Sequence, residues 1–187
     1  IVPLASGSLY GKIWKGLHEL EDLGLIDHAD TRMSGCQASG CSPIITAWEN
    51  KTLNFKPVRP NTIAKSLAIG NPADGYYTLK IMGESNGAGA AVSDDEVVEG
   101  IRLLAESEGI FAETAGGVTI AGLKHLVASG AVKPDELVVA FITGAGLKTQ
   151  EAVADVLPQA IFTKPNMAAF EAALLERKGG SVPVAPQ

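Results

Sequence analysis

Cysteine and histidine are scarce in this chain, two and three among 187 residues. Two thiols are too few to close a tetrahedral zinc site. The histidines, His18, His28 and His125, fall in no H-x-E or H-E-x-x-H pattern, and no nucleophile elbow is present. Zinc hydrolysis and triad catalysis therefore have no footing here, and no metal is expected. Basic residues are also short: 15 Lys and Arg stand against 21 Asp and Glu, a net charge of −6, with no basic cluster. Binding a phosphate backbone needs such a cluster, so nucleic acid is not an expected partner. No apolar run approaches the roughly 18 residues that span a bilayer. The start of the chain has no basic segment followed by an apolar one, as a signal peptide would. A membrane partner is not expected, and the cytoplasm is the expected location. Cys36 and Cys41, in "GCQASGC", would remain reduced thiols there; a local disulfide or a reactive thiol is the alternative reading. No repeat of solenoid length is present. Neither is the G-K-[ST] ending of a nucleoside-triphosphate loop or a G-x-G-x-x-G fingerprint.

What is present describes a globular interior. Hydrophobic residues make up 46% and charged ones 19%, enough for one compact core. Residues 1–5 are apolar and read as a short buried strand, broken by Ser6, Gly7 and Ser8. "KIWKGLHELEDLG" then sets Ile13, Leu17 and Leu20 at helical spacing, with Gly24 as the stop. "TRMSGCQ" is a second strand, and "SPIITAWE" a helix with Pro43 in its first turn. "KTLNFKPVRP" is a connecting loop. Asn61 is placed to cap a short helix through "TIAKSLAIG", closed by Gly70, Asn71 and Pro72. Residues 87–91 are a small-residue turn or strand. "SDDEVVEGIRLLAESEG" carries the strongest helix signal, with Ser93 and Glu96 as a capping box. "GIFAE" reads as a short strand and "TAGGVTIAGLKHLVASG" as a glycine-diluted helix. "DELVVAFITGAGLKTQEAV" repeats the opening order of strand, glycine loop and helix. The tail after Lys178 is expected to be flexible.

Alternating strands and helices predict an α/β fold: a parallel sheet with helices on both faces. Ligands of such sheets bind outside the carboxyl ends of the strands, where both glycine loops fall. In "ASGSLYG", small residues let backbone amides approach an anion and the following helix adds its positive end. The hydroxyls of Ser6 and Ser8 are further donors, and an ordinary strand-to-helix turn is the alternative. In "TGAGLK", Thr143 ends an apolar strand, where its hydroxyl can meet a heterocycle nitrogen or bond its own loop backbone. Glu113 is either a residue of the active edge or the cap of the next helix.

Taken in order, "VPLASGSLYGKIWKG", "GCQASGCSPI", "TIAKSLAIGNP", "AVSDDEVVEG", "GIFAETAGGVTIAGL" and "VVAFITGAGLK" resemble the pyridoxal-phosphate enzymes of the tryptophan-synthase-β type (fold type II), and within them the threonine synthase family. The resemblance implies pyridoxal 5'-phosphate as cofactor. It also implies that Ala5, Ser6, Gly7, Ser8 and Leu9 cradle its phosphate, and that Thr143 meets its ring nitrogen. For the intact enzyme it implies a lyase converting O-phospho-L-homoserine and water to L-threonine and phosphate. A homo-oligomer is expected, because apolar surface uncovered without the partner half seeks burial. One departure stands out. The family's Schiff-base lysine lies in a Ser/Thr-x-x-Lys-Asp/x-Arg-like segment upstream of the phosphate loop, and no such segment is present. Lys12, Lys15, Lys65 and Lys148 are not in that context. No catalytic residue is therefore assigned, residues 1–178 are expected to be the C-terminal part of the cofactor-binding domain, with 179–187 as the tail, and this stretch alone is expected to be inactive. A serine or threonine dehydratase of the same fold, or a non-catalytic module retaining it, are the alternatives.

Overall fold

The structure, a computed structural model, describes every residue except 29, 158, 159 and 179–187. The tail expected to be flexible thus lies outside the described residues. The chain divides into two compact units, Ile1–Ala152 and Val153–Gln187. At the centre of the first is a parallel three-stranded sheet of β1 (Val2–Pro3), β2 (Gly35–Ala38) and β3 (Gly89–Val92), in that spatial order.

Successive side chains of a strand point to opposite faces, and this sorts the packing. On one face Cys36 and Ala90 lie against Gly122 of α5 (Thr114–Ala128). On the other, a β-carbon added at Gly89 would stand 2.8 Å from Ile45 and 3.0 Å from Met82. Those two side chains belong to α2 (Pro43–Glu49) and α3 (Gly75–Glu84). Helices cover both faces, as the alternating pattern predicts. α1 (Ser8–Asp22) packs against α3, and α4 (Asp94–Glu108) against α5. The apolar centre on the α2–α3 side is Val2, Leu4, Tyr10, Ile44, Ile45, Leu79 and Met82. Full burial of an aliphatic side chain of this size contributes roughly 1.5–3 kcal/mol. In the second unit, α6 (Met167–Lys178) begins after Asn166, whose Oδ1 accepts from the Ala169 amide at 2.9 Å.

Helix ends follow local chemistry. α1 stops as its glycine predicts: Gly24 takes φ 68°, its amide donates to Glu21 O at 2.8 Å, and the Leu25 amide reaches Leu20 O at 2.9 Å. The Ser93–Glu96 capping box on α4 is formed in both directions. α2 starts at Pro43 as expected, but its cap comes from the sheet: the Ile44 and Ile45 amides both donate to Oε1 of buried Gln37, at 3.0 Å.

The structure departs from the sequence expectations at six places. The helix expected after Asn61 is only a 3-10 turn at Lys65–Leu67. Asp94 holds this loop open instead, accepting from the Thr62 hydroxyl and, at 3.1 Å, from the Ile63 amide. Residues 138–142 form no strand and do not join the sheet. The Ile1 amine donates to Val139 O at 2.7 Å and the Phe141 amide to Ile1 O at 3.0 Å. The next rung would need an N–H from Pro3, which has none, and the Phe141 carbonyl accepts from the Thr119 hydroxyl instead, at 3.2 Å. The helix expected after "TGAGLK" is two 3-10 turns, Gly146–Lys148 and Gln150–Ala152. "GIFAE" supplies a single antiparallel bridge, Ala112 to Ala145, rather than a strand. Finally, α3 and α6 carry no expectation from the pattern at all.

Candidate functional site

The loop between β1 and α1 turns on Gly7, which has φ 93° and caps α1. A β-carbon there would be strained, and would strike the Thr78 hydroxyl and stand 2.9 Å from Asp74 O. The loop is tied to the start of α3 twice. The Asp74 amide donates to Ser6 O at 2.8 Å, and the Ser8 hydroxyl donates to the Asp74 carboxylate. Within the loop, the Ser8 amide donates to Ser6 Oγ at 3.3 Å. The first intrahelical return bond is from the Gly11 amide to Gly7 O at 3.0 Å. The amides of Leu9 and Tyr10 therefore open α1 without an intrahelical acceptor.

A cavity of about 180 Å³ lies at this loop. Ala5, Ser6, Gly7 and Leu9 form one wall, Glu113 and Ala115 at the start of α5 another, and Thr143 joins them. Ser66 and Leu67 of the short 3-10 turn close a third side. Residues from both glycine loops thus share one cavity. Ser8 does not line it, because its hydroxyl is committed to Asp74.

Glu113 is the most constrained of these groups. It precedes α5 but makes no side-chain cap bond. Its carboxylate, 4% exposed, accepts from the Thr143 hydroxyl on Oε1 at 3.2 Å and from Lys148 Nζ on Oε2 at 2.9 Å. Its amide donates to Gly144 O at 2.9 Å. A β-carbon at Gly144 would stand 2.5 Å from the carboxyl group, so only glycine leaves room for it. The Thr143 hydroxyl thus donates to a carboxylate rather than to its own loop backbone. Beside this cluster the Thr114 hydroxyl is buried and without a partner. None of Lys12, Lys15, Lys65 and Lys148 lines the cavity; Lys65 donates to Thr62 O at 2.8 Å.

A larger open groove, about 760 Å³, runs along Trp48, Leu53, Leu79 and Gly89, with Lys51, Lys80, Glu49 and Glu84 around it. It contains no residue of either glycine loop. The smaller cavity is the functional candidate, because a helix N-terminus and convergent polar side chains meet there.

Sequence reasoning placed residues 5–9 and Thr143 together and flagged Glu113 with two readings. It missed Asp74, Ser66 and the pairing role of Lys148. Ser66 lies in "TIAKSLAIGNP", one of the stretches that carry the resemblance. Asp74 and Lys148 act across 66 and 35 positions, respectively, and no local pattern announces such pairings.

Residues 1–144 match the family described as pyridoxal-phosphate dependent enzyme, and the chain belongs to that family. Its cofactor is accordingly pyridoxal phosphate. Among curated proteins, the threonine synthase of Methanocaldococcus jannaschii is 41% identical over 153 residues, 81% of this chain and 38% of that protein. The threonine synthase of Halalkalibacterium halodurans is 36% identical over 188 residues, 97% of this chain and 48% of that protein. The chain spans less than half the length of these relatives. Among solved structures, the processed form of threonine deaminase isoform 2 from Solanum lycopersicum matches with a TM-score of 0.61 at 18% identity, covering 84% of this chain and 43% of that one. A fungal L-serine ammonia-lyase from Rhizomucor miehei matches at 0.57 and 21%, covering 80% and 47%. At these identities the likeness is one of fold.

Proposed function

We propose that these residues are the cofactor-binding part of a threonine synthase, whose reaction takes O-phospho-L-homoserine and water to L-threonine and phosphate. The observation that carries this reading is the single cavity shared by the loop of residues 5–9 and Thr143, in a chain 36–41% identical to two threonine synthases. The site suits a phosphate-bearing ring. At one end Gly7, strained for any other residue, lets the Leu9 and Tyr10 amides open α1 toward an anion, where the helix end is positive. At the other, Thr143 and Glu113 offer polar atoms to a ring edge. When bound, pyridoxal phosphate acts as the electron sink that makes bonds at the amino-acid carbons labile.

In this reading the chain's own residues bind and orient. Ala5, Ser6, Gly7 and Leu9 surround the phosphate, with backbone amides as the donors. Ser8 acts through Asp74, which fixes the loop's shape. Thr143 would meet the ring edge, and Ser66 would border the same space from its own side of the cavity. The lysine that moves protons lies outside these residues, and so does most of the substrate-phosphate site, which makes this stretch inactive alone. The intact protein is proposed to be a cytoplasmic homo-oligomer with a small-molecule substrate. Among the described residues no helix is long and apolar enough to cross a membrane.

The test uses the full-length protein loaded with pyridoxal phosphate and offered O-phospho-L-homoserine, L-threonine and L-serine in turn. L-Threonine and inorganic phosphate should form in equal amounts from the first. Ammonia and a 2-oxo acid from the hydroxy amino acids, with no phosphate release, would assign a dehydratase. Cofactor retention with no turnover of any of them would leave a non-catalytic module.

A further inference from the structure

We propose that Asp94 is a positioning residue of the cavity: its carboxylate latches residues 58–70 as one strap, and release of that latch opens the wall past which a bound cofactor leaves. This rests on the cofactor reading above and deepens it by naming what governs retention. Ser66 and Leu67, which wall the cavity, lie within the strap. The strap begins and ends at one point. The Val58 amide donates to Gly70 O at 3.0 Å, and a β-carbon at Gly70 would stand 1.8 Å from Val58 O. A surface loop with joined ends is a compact unit of its own.

Little apolar burial holds the strap down. Of its side chains only Thr62, Ala64 and Leu67 are buried, and that of Ala64 is a single methyl group. Among the described residues three hydrogen bonds tie the strap to other elements. One joins the Asn61 amide to Gly40 O at 2.9 Å. The other two end on Asp94: Oδ1 accepts from the Thr62 hydroxyl, and Oδ2 from the Ile63 amide at 3.1 Å. Bonds to an ionised group are the stronger kind.

Asp94 is available for this task. It opens α4, but the cap there is made by Ser93 and Glu96, which bond to each other. Both oxygens of Asp94 therefore face the strap, and the positive end of α4 favours their charge. Thr62 passes the restraint on. Its Oγ1 also accepts from the Ala64 amide at 3.1 Å, and its carbonyl accepts from Lys65 Nζ at 2.8 Å. Thr62 is 5% exposed, so without the carboxylate its hydroxyl proton and the Ile63 amide lose their acceptor in a place water does not reach readily. Leaving a buried donor unpaired is costly. Lifting the strap into water relieves that cost, and it carries Ser66 and Leu67 away from the cavity.

The experiment uses the full-length protein loaded with pyridoxal phosphate. It follows amide hydrogen exchange by mass spectrometry and, by absorbance, the rate of cofactor loss on dilution. Asp94→Ala and Thr62→Val should each raise exchange within residues 58–70 on the order of 10–100-fold, the factor for one hydrogen bond to a charged group. Cofactor loss should quicken with it. Peptides of α4 beyond its first turn should exchange as in wild type. Thr62→Ser keeps the hydroxyl and should behave as wild type. The double variant should fall well short of the product of the two single effects, because both break one contact. Asp94→Ala also alters the start of α4, so Thr62→Val, which leaves that helix intact, decides the matter if the first variant does not fold. Unchanged strap exchange in Thr62→Val overturns the latch. Faster strap exchange with cofactor lost at the wild-type rate overturns it too, and leaves the cofactor reading intact. Wild type that takes up no cofactor overturns both.

Discussion

Gly7 and Gly16 lie in and after the same loop, and substitution should move stability in opposite directions. At Gly7 the backbone is left-handed, φ 93°, and an added β-carbon meets the Thr78 hydroxyl and, at 2.9 Å, Asp74 O. Gly7→Ala should destabilise by about 1–3 kcal/mol, the cost of holding a side chain in that region against backbone. Gly16 is inside α1 with nothing within 4 Å of an added β-carbon. Gly16→Ala should stabilise by about 0.5–1 kcal/mol through helix propensity and reduced unfolded-state freedom. Urea unfolding of both variants measures this, and a Gly7→Ala midpoint equal to wild type would contradict the loop geometry. The same pair should separate in cofactor affinity, with only Gly7→Ala weakened.

At the scale of elements, α4 gathers several contacts at its first turn. Ser93 Oγ accepts from the Glu96 amide at 3.3 Å, and Glu96 Oε2 accepts from the Ser93 amide at 2.7 Å. Oε1 of Glu96 reaches back to His125 near the end of α5, at 2.6 Å. One residue on, Asp94 restrains the loop that walls the cavity. Ser93→Ala should therefore cost about 1 kcal/mol. Bonds from the Ser93 amide first, and then from His125, lower the Glu96 pKa from 4.5 to about 2. A depressed carboxylate stabilises the fold above its unfolded pKa, and that contribution is lost as pH falls from 4.5 toward 2. Glu96→Gln should be less stable than wild type at pH 6, and the gap should narrow steadily toward pH 2, on the order of the folded-state value. Chemical denaturation at a series of pH values reads this directly; a gap that does not change with pH would exclude the linkage.

For the first unit as a whole, Cys36 reports on the integrity of the layers. It lies in the middle strand at 0% exposure, against Gly122 of α5, and burial pushes its thiol up to about 12. The thiolate is the reactive form, so an aromatic disulfide reagent should leave Cys36 untouched in the native protein at neutral pH. Reaction should appear with global unfolding, since it requires α5 to leave the sheet. Rapid labelling of Cys36 under native conditions, located by mass spectrometry, would show that the layers open locally. Cys36 and Cys41 are both free thiols, so the disulfide alternative does not hold.

Sequence alone determined the features whose causes are local. The α4 capping box needs two residues three apart, the end of α1 needs one glycine, and the alternation of elements needs only periodicity. The family stretches are legible for a related reason: each is a contiguous loop and its flanking element. α3 stayed hidden because it begins at Gly75 without a side-chain cap, and because Tyr76 and Tyr77 are exposed. The apolar run at 138–142 looked like a strand, yet a missing proline N–H, more than a hundred positions away, keeps it from extending the ladder. Likewise the sequence supplied Thr143 and Glu113 as separate candidates with two readings each. Only folding brings Glu113, Thr143 and Lys148 into one hydrogen-bonded cluster, and only that contact decides which way the threonine proton points. Donor and acceptor polarity belongs to a pair of groups, and the pairing of residues 30 positions apart is a property of the tertiary structure.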